Sequence, residues 1–364
     1  MKLSALLSAI PLGLIAAGVH AATEQPQVNL YIWGEYMAPD TLSSFEEKTG
    51  IKVVVDHFDS METVDTKLMT GHSGYDLVLT SGQHLSRAIS SGALQPLDKS
   101  RLPHFTQLDP WALQHMSGFD EGNRYAGIYM WGTTGFGYLQ QAIEQRMADA
   151  PVDSWAMLLD PQVVSRFADC WVSFLNDRNE VFAAAFNYLG LDINKQSLDD
   201  LKLAEAHLAK VRPHIRYFDN DRNIADLANG DTCLAMSWNG NVALAASQAH
   251  AAGKPYSVTY QIPREGTLLW FDAVVIPRDA PHPEAALALL DHLSTPEVIA
   301  GVTNTVYYAN AVPAANPLVD PAILNDPGTY PPASVQQNLY VKNDNSRVFD
   351  RALTRAFSRL KSGT

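Results

Sequence analysis

The chain has 364 residues and a net charge of −13, from 39 acidic and 26 basic side chains, and 46% of its residues are hydrophobic. At roughly 150 residues per domain this length predicts about two domains, and the ordinary apolar content excludes a wholly disordered chain. The mean hydropathy is −0.10 and no apolar run beyond the N-terminus approaches ~20 residues, which excludes a membrane-embedded protein, while an acidic chain lacks the basic surface that nucleic acid requires.

The N-terminus has the pattern of an export signal. A lysine at position 2 precedes an apolar run over residues 3–19, and Val19 and Ala21 are small residues at the positions that signal peptidase needs. We therefore predict a signal peptide over residues 1–21, cleaved after Ala21. A membrane anchor is the alternative, but the run is short for one. No cysteine follows the cleavage site directly, so we expect a protein without a lipid anchor in the periplasm of a bacterium with two membranes.

Apolar runs and helical segments alternate after the signal peptide. In chain order we predict a strand over 28–33, a helix over 41–48, a strand over 51–55, a helix over 61–69 and a strand over 75–79. This alternation is typical of parallel βαβ units in an open α/β sheet. Ligands of such sheets bind at the carboxyl ends of the strands, where Trp33 and Ser81 are expected.

The aromatic and glycine-rich segment YAGIYMWGTTGFGY, residues 125–138, is predicted to cross between two lobes. A second α/β region follows, with strands over 170–175 and 233–238 and helices over 180–189 and 201–211. Residues 258–262 and 268–276 form the return path, a helix over 283–293 belongs to the first lobe, and a third crossing near 307–308 leads to a helix over 347–360. We assign residues 22–132 and 256–306 to lobe 1, and residues 133–255 and 307–364 to lobe 2.

Cys170 and Cys233 are the only cysteines in the chain. In an oxidising compartment they can form one disulfide, which would close a loop of about 60 residues and contribute about 3–4 kcal/mol to stability. Two buried free thiols are the alternative. Because the two residues form neither a C-x-x-C motif nor a ligand cluster, we expect no metal or redox site here.

Common enzyme signatures are missing from the sequence. It has no G-x-S-x-G, no H-E-x-x-H, no Walker A motif and no G-x-G-x-x-G, and its 11 histidines show no metal-binding spacing. We therefore predict a protein that is not an enzyme and uses no metal or cofactor.

Large aromatic residues recur beside polar or acidic residues at predicted strand ends. Examples are Trp33 before Glu35, Trp270 before Asp272, and Trp238 before an Asn-Gly-Asn turn. Each tryptophan alone can be explained as a core residue. Together they predict a pocket for an organic cation, because aromatic faces attract ammonium groups by about 0.5–2 kcal/mol each and a carboxylate compensates their desolvation. Aromatic walls with acids at both ends suit a linear diamine or triamine.

The stretches that carry a family resemblance are NLYIWGEYMAPDTLSSFEEKTGIKVV, DLVLTSG, APVDSW, FNYLGLDIN, IADLANGDTCLA, PREG, WFDAVVIP, YYANA and YPPASV. Through them the chain resembles the periplasmic putrescine/spermidine-binding proteins of ABC polyamine importers, from residue 29 to residue 363. The resemblance implies the two-lobe type II periplasmic-binding-protein fold, in which each lobe is a central β-sheet flanked by helices and hinge segments join the lobes. It also implies a Cys170–Cys233 disulfide, a monomer, and a receptor that closes on a polyamine and delivers it to an ABC permease.

The resemblance also implies a set of ligand-binding residues. The aromatic walls would be Trp33, Tyr36, Trp238, Trp270 and Tyr308. The partners of the amines would be Ser81, Glu180 and Asp272. The variable positions near the pocket would be Gly34, Glu35, Asp177 and Asn241.

The variable positions differ from those of putrescine-type relatives, which have Ser-Asp after the first tryptophan, Asp at position 241, Phe at position 270 and no acid at position 177. Glu35, Asp177, Trp270 and Asn241 match the pattern of spermidine-preferring relatives, so we expect spermidine to be favoured over putrescine. Lys342 is expected near the pocket mouth, where the relatives have apolar residues. A cation at this position would oppose a polyamine.

Three alternatives remain. The chain could be a receptor for another cationic amine, or a polyamine sensor that signals through a membrane partner. The third is an exported glycoside hydrolase with Glu180 and Asp272 as acid and base, since tryptophan walls also suit sugars.

Overall fold

The structure is a computed structural model that describes residues 26–363. The predicted signal peptide over residues 1–21 and its cleavage site lie outside the described residues.

Ten strands alternate with helices along the chain, as expected for an α/β protein. The strands are β1 (Gln27–Trp33), β2 (Lys52–Phe58), β3 (Leu77–Ser81), β4 (Ala126–Leu139), β5 (Val172–Phe174), β6 (Tyr217–Phe218), β7 (Leu234–Trp238), β8 (Val258–Gln261), β9 (Thr267–Val275) and β10 (Leu339–Tyr340).

The helices pack on this sheet. They are α1 (Thr41–Thr49), α2 (Met61–Thr70), α3 (Gly82–Ser90), α4 (Pro110–Met116), α5 (Gln140–Arg146), α6 (Ala156–Leu159), α7 (Pro161–Val164), α8 (Arg178–Tyr188), α9 (Leu198–Val211), α10 (Arg222–Asn229), α11 (Asn239–Ala251), α12 (Pro283–Leu293), α13 (Pro296–Val306), α14 (Pro321–Leu324), α15 (Ala333–Gln336) and α16 (Arg347–Ser362).

The strands form one mixed sheet in the order β2-β1-β3-β9-β4-β7-β5-β6, with β10 paired to β9 and β8 to β4. Strand β1 is parallel to both β2 and β3, which confirms the predicted βαβ units. Strand β9 runs antiparallel to β3 and β4, and β7 runs antiparallel to β4. The sheet is therefore parallel near its ends and antiparallel where the two halves meet.

Local sequence signals explain why the helices begin and end where they do. The Ser60 side chain accepts a hydrogen bond from the Thr63 amide at the start of α2. Helix α1 ends at Gly50, whose φ of 71° is left-handed and whose amide donates to the Glu46 carbonyl.

Strands β4 and β9 connect two separate hydrophobic cores. The first core contains β1, β3 and the apolar residues of α12, and the second contains β5, β7 and the apolar residues of α8 and α16. The first part of β4 pairs with β9 and its second part pairs with β7 and β8. Residues 125–138 thus form the crossing segment that the sequence predicts.

The lobe bounds given above remain a prediction. Apolar residues between Tyr308 and Ile323 pack in the first core, as does Leu339, whereas Tyr340 packs against the second core and Phe349 is buried in it. The C-terminal part of the chain therefore moves from the first core to the second over β10 and the segment before α16.

Gly132 on β4 is required by close packing. A Cβ atom at this position would overlap the ring of Trp270, its partner on β9, and the side-chain oxygen of Asn239. The absence of a side chain at Gly132 thus lets the ring of Trp270 and the side chain of Asn239 lie against the backbone of β4.

Cys170 and Cys233 form the predicted disulfide, with a Cα–Cα distance of 5.5 Å. The bond joins the residues that precede β5 and β7 within the second core.

Two ion pairs join helices around the first core to segments around the second. Arg178 on α8 lies 3.4 Å from Glu62 on α2, and Arg87 on α3 lies 3.1 Å from Asp344, which precedes α16. Arg87 also pairs with Asp65 at 2.7 Å.

Within residues 26–363 no single helix has the length and apolar composition to cross a membrane. The pair α12 and α13 meets those two criteria only when taken together, and its helices are bent by 70°.

Candidate functional site

The candidate site lies where β4 and β9 cross between the two cores. The first core contributes the ends of β1 and β3, part of β9 and the residues after α13, and the second core contributes the end of β7 and the first turns of α8 and α11. The predicted site residues on or beside these elements are Trp33, Gly34, Glu35, Tyr36, Ser81, Asp177, Glu180, Trp238, Asn241, Trp270, Asp272 and Tyr308.

Asp272 provides a buried carboxylate on β9, with 8% of its surface exposed. Ser81 lies opposite it in the register of β3 and β9. The Tyr36 hydroxyl donates to Asp272 Oδ2 at 2.8 Å. Burial raises the pKa of Asp272 to about 7, and the hydrogen bond from Tyr36 opposes this rise. Because a buried carboxylate is costly to ionise alone, a cation bound beside Asp272 would be stabilised.

Three aromatic rings continue from Asp272 toward the second core. The ring of Tyr36 lies 5.9 Å from that of Tyr308, which in turn lies 5.1 Å from that of Trp270, both pairs in edge-to-face geometry. The Tyr129 hydroxyl donates to the Tyr36 carbonyl at 2.7 Å and fixes the backbone there. A Cβ atom at Gly240 would overlap the Tyr308 ring, so a glycine at the start of α11 makes room for it.

Glu180 provides a second acidic group, in the first turn of α8. Its Oε2 atom is buried and has no hydrogen-bond partner among the described residues. Burial raises the pKa of Glu180 and the nearby Asp177 raises it further, whereas the side chains of Thr134 and Trp238 and then the charge of Lys342 oppose the rise. Asp177 Oδ1 accepts hydrogen bonds from the amides of Asn179 and Glu180 at 2.7 and 3.2 Å. The Asp177 carboxylate therefore caps α8. This structural role did not follow from the expectation that Asp177 is a variable residue near the ligand.

Trp238 and Asn241 bring the second core to the aromatic rings. Trp238 is half-buried at the end of β7, opposite Thr134 in the register. The Tyr308 hydroxyl donates to Asn241 Oδ1 at 2.8 Å, and Asn241 Nδ2 donates to the Asn220 carbonyl at 3.1 Å. Asn241 therefore orients Tyr308 rather than supplying a negative charge.

The turn after β1 lies further from the buried acids. Trp33 is half-buried and its ring lies 4.3 Å from that of Phe58. Gly34 and Glu35 are exposed, and Glu35 has a left-handed φ of 54°. The structure thus joins Asp272, Tyr36, Tyr308, Trp270 and Asn241 through direct contacts. It leaves Gly34 and the Glu35 side chain exposed to solvent.

Sequence reasoning missed two polar residues in the same region, Thr134 and Asn239. Both are buried, and the Thr134 side chain lies beside Glu180, where it opposes the rise in the pKa of that carboxyl. Asn239 Nδ2 and Trp270 Nε1 have no hydrogen-bond partner within the part of the chain that is described. The other side-chain atom of Asn239, Oδ1, accepts from the Thr133 amide at 3.1 Å. Buried polar groups of this kind require a partner such as a ligand or water. The sequence did contain a signal for both residues: Thr134 lies inside the crossing segment, and Asn239 directly follows Trp238.

Lys342 is buried rather than exposed at the mouth, with 7% of its surface accessible. Its Nζ donates to the Asn345 side chain at 2.6 Å and to the Asn343 carbonyl at 3.0 Å. Burial lowers the pKa of Lys342 to about 8, and Asp344 and Asp177 oppose this change. The side chain is thus a buried cation near neutral pH.

The site has the chemistry of a cation-binding pocket. It combines the buried Asp272 carboxylate and the half-buried Glu180 with aromatic rings, and each ring can attract an ammonium group by about 0.5–2 kcal/mol. Within the described chain, no group of three or more His, Cys, Asp and Glu residues could hold a metal ion.

Comparisons with known proteins give consistent matches over nearly the whole chain. The family described as bacterial extracellular solute-binding protein matches residues 41–331. The putrescine-binding periplasmic protein PotF of Escherichia coli (strain K12) is 43% identical over 359 residues, which cover 96% of this chain and 97% of the relative. The spermidine/putrescine-binding periplasmic protein of the same organism is 34% identical over 335 residues, or 91% of each chain.

A solved structure is also similar. The spermidine/putrescine ABC transporter substrate-binding protein PotD from Streptococcus pneumoniae superposes with a TM-score of 0.80 at 24% identity. The match covers 93% of this chain and 99% of the solved one. At this identity the likeness concerns the fold.

Proposed function

Because the chain belongs to the bacterial extracellular solute-binding protein family, we propose that it is a periplasmic receptor that binds a linear polyamine between its two cores and delivers it to an ABC permease. The likeness to a solved member confirms the two-lobe type II periplasmic-binding-protein fold. The family consists of solute-binding receptors, which confirms that the chain is not an enzyme. The hydrolase alternative is therefore set aside.

The observation that carries the proposal is the environment of Asp272. Its carboxylate is 8% exposed and accepts a hydrogen bond from Tyr36, and burial raises its pKa to about 7. An ammonium group placed beside it would compensate the buried charge and restore an ordinary, lower pKa. The rings of Tyr308 and Trp270 provide faces for the methylene chain and the charge of such a ligand.

Glu180 supports a ligand with cations at both ends. It lies on the second core, whereas Asp272 lies on β9 beside β3 of the first core. A ligand that joins the two acids would favour the arrangement in which the cores are close, because binding supplies the free-energy difference between open and closed forms. A polyamine, with ammonium groups separated by methylene groups, meets this requirement.

The relatives favour the same ligand class, since one is named for putrescine and another for spermidine and putrescine. We also propose that the protein is a monomer and that its partner is an ABC permease in the membrane. The preference for spermidine over putrescine, which rests on Glu35, Asp177, Trp270 and Asn241, stays a prediction. A sensor that uses the same site, or a receptor for another cationic amine, are the alternatives.

Calorimetric titration of the mature, refolded protein tests the proposal. Putrescine, cadaverine, spermidine, agmatine, arginine and γ-aminobutyrate are titrated into the wild type, Asp272→Asn and Asp153→Asn. Asn keeps an acceptor for Tyr36 but removes the charge, so we expect Asp272→Asn to weaken polyamine binding by at least ~2 kcal/mol.

Asp153 lies on the surface, with its side chain 56% exposed and paired to Arg264, so Asp153→Asn makes the same change in net charge without altering the site. We expect it to bind as the wild type does. If only arginine or γ-aminobutyrate bound, the protein would be a receptor for another amine. If Asp272→Asn bound polyamines as tightly as Asp153→Asn does, the role of Asp272 would be refuted.

A further inference from the structure

Lys342 is the one buried lysine among the described residues that pack at the Glu180 end of the site. It follows β10, whose Tyr340 pairs with Leu268 on β9, two residues before Trp270. The Tyr340 hydroxyl donates to the Ala183 carbonyl of α8 at 3.2 Å. The segment that bears Lys342 is thus held between β9 and α8, the two elements that carry Trp270 and Glu180.

A chain of hydrogen bonds joins the Lys342 ammonium to the first turn of α8. Nζ donates to Asn345 Oδ1 at 2.6 Å, and Asn345 Nδ2 donates to Asn179 Oδ1 at 3.2 Å. Asn179 directly precedes Glu180, and its amide is capped by Asp177. The same Asn345 amide group donates to Asp350 Oδ1 at 3.1 Å. Lys342 is therefore fixed in position beside the turn that presents Glu180.

The charges at this end of the site are already partly balanced. Lys342 opposes the rise in the pKa of Glu180, after the side chains of Thr134 and Trp238, and Asp344 followed by Asp177 opposes the fall in the pKa of Lys342. Both effects mean that the ammonium and the two carboxylates interact through the protein interior. With a pKa of about 8, Lys342 is mostly charged at pH 7.

We propose that Lys342 is a specificity-determining residue, whose buried ammonium balances one of the two carboxylates at the acidic end formed by Asp177 and Glu180, leaves the other for one ligand amine, and so disfavours ligands with an additional ammonium group. The inference rests on the proposed function. An extra ligand ammonium near Lys342 meets like charge, which is costly in a desolvated site. Lys342 thus offsets the attraction that Asp177 would exert on a triamine.

The test compares Lys342→Met with Lys202→Met. Methionine keeps most of the length of lysine and removes its charge, and Lys202 is a 75% exposed residue on α9 that serves as the matched control. The dissociation constants of putrescine and spermidine are measured calorimetrically at pH 7 for both variants and the wild type. We expect Lys342→Met to raise the affinity for spermidine relative to putrescine by at least about tenfold, and Lys202→Met to leave that ratio unchanged.

A second variant guards against loss of folding. Lys342→Gln can still donate to Asn345 and carries no charge, so it should change the ratio in the same direction. If the variants are folded, as judged by thermal unfolding, and both bind the two ligands in the wild-type ratio, the inference is overturned while the proposed function stands. If the wild type and all variants bind neither ligand, the proposed function fails and the inference fails with it. Binding of spermidine only after the charge is removed would support the inference.

Discussion

At the scale of single residues, the site depends on acidic groups that the fold keeps away from water. Asp272 accepts one hydrogen bond from Tyr36, and burial outweighs it, so the pKa of the carboxyl is about 7 instead of 3.8. Burial and Asp177 also raise the pKa of Glu180. In the unliganded protein these groups therefore hold protons at pH values where ordinary carboxyl groups have lost them.

Binding of a polyamine should depend on pH for this reason. Below pH 7 Asp272 is mostly protonated, and its proton must leave before an ammonium can pair with the carboxylate. The pKa of Asp272 is higher in the free protein than in the complex, so the affinity for a polyamine rises with pH. Below pH 7 the rise is up to about tenfold per pH unit, because one proton is coupled to binding. Glu180 acts in the same direction, and so does Lys342, which loses its charge near pH 8.

Titrations between pH 5.5 and 7.5 in buffers of different ionisation enthalpy measure both the affinity and the protons released. We expect binding to become tighter as the pH rises from 5.5 to 7.5, and the number of protons released on binding to be largest at the low end and to fall toward pH 7.5, with a flatter profile in Asp272→Asn. Affinity that stays constant over this range, or falls, would contradict the assignment.

Sequence reasoning could predict the residue types of the site but not their partners. Trp270, Asp272 and Tyr308 were expected as a group, and the structure brings them together. The capping role of Asp177 and the burial of Lys342 could not be predicted, because both depend on how α8, β10 and the segment before α16 pack in three dimensions.

At the scale of elements, β4 is the strand on which the site is built. Its Gly132 allows the ring of Trp270 and the side chain of Asn239 to lie against the backbone. The composition of residues 125–138 predicted a crossing segment, but the strand character and its pairing with β9, β7 and β8 depend on partners distant in the chain.

Gly132→Ala should displace Trp270. The added methyl group has no space, so we expect a loss of about 1–3 kcal/mol in the free energy of unfolding and weaker polyamine binding. Gly301→Ala, on α13, is the control, because its methyl group would make only an ordinary contact with Ala38 at 3.7 Å. Denaturant unfolding and calorimetry provide the two measurements. Equal stability and binding in both variants would mean that β9 can shift away from β4 at no cost.

The start of α8 provides a second prediction at this scale. Asp177→Ala removes the cap and should lower the free energy of unfolding by about 0.5–2 kcal/mol, whereas Asp177→Asn can still cap and should lower it much less. Denaturant unfolding separates the two variants. If both were equally destabilised, the charge of Asp177 and not its hydrogen bonds would support the helix.

At the scale of the whole molecule, the arrangement of the two cores is fixed by more than the crossing strands. The pair Arg178–Glu62 joins helices α8 and α2, and the pair Arg87–Asp344 joins α3 to the segment before α16. The alternation of strands and helices predicted the α/β lobes, but it could not predict these pairs, nor that the chain moves to the second core only after Leu339.

Removal of both links should weaken ligand binding more than it weakens the fold. Each partly exposed pair contributes about 0.2–1 kcal/mol, so we expect Glu62→Gln combined with Asp344→Asn to raise the polyamine dissociation constant about two- to thirtyfold. Calorimetry at low and high salt measures the effect, which should shrink as salt screens the pairs in the wild type. Asp153→Asn is the control away from the contact between the cores. It makes half the change in net charge, so half of the loss in that variant would point to net charge instead.

Three of the seven tryptophans of the chain, Trp33, Trp238 and Trp270, are half-buried at or beside the site. Indole emission depends on the polarity of its surroundings, and a bound ligand would replace water around these rings. The occupancy of the site should therefore be visible in the intrinsic fluorescence of the unlabelled protein, on the timescale of binding itself.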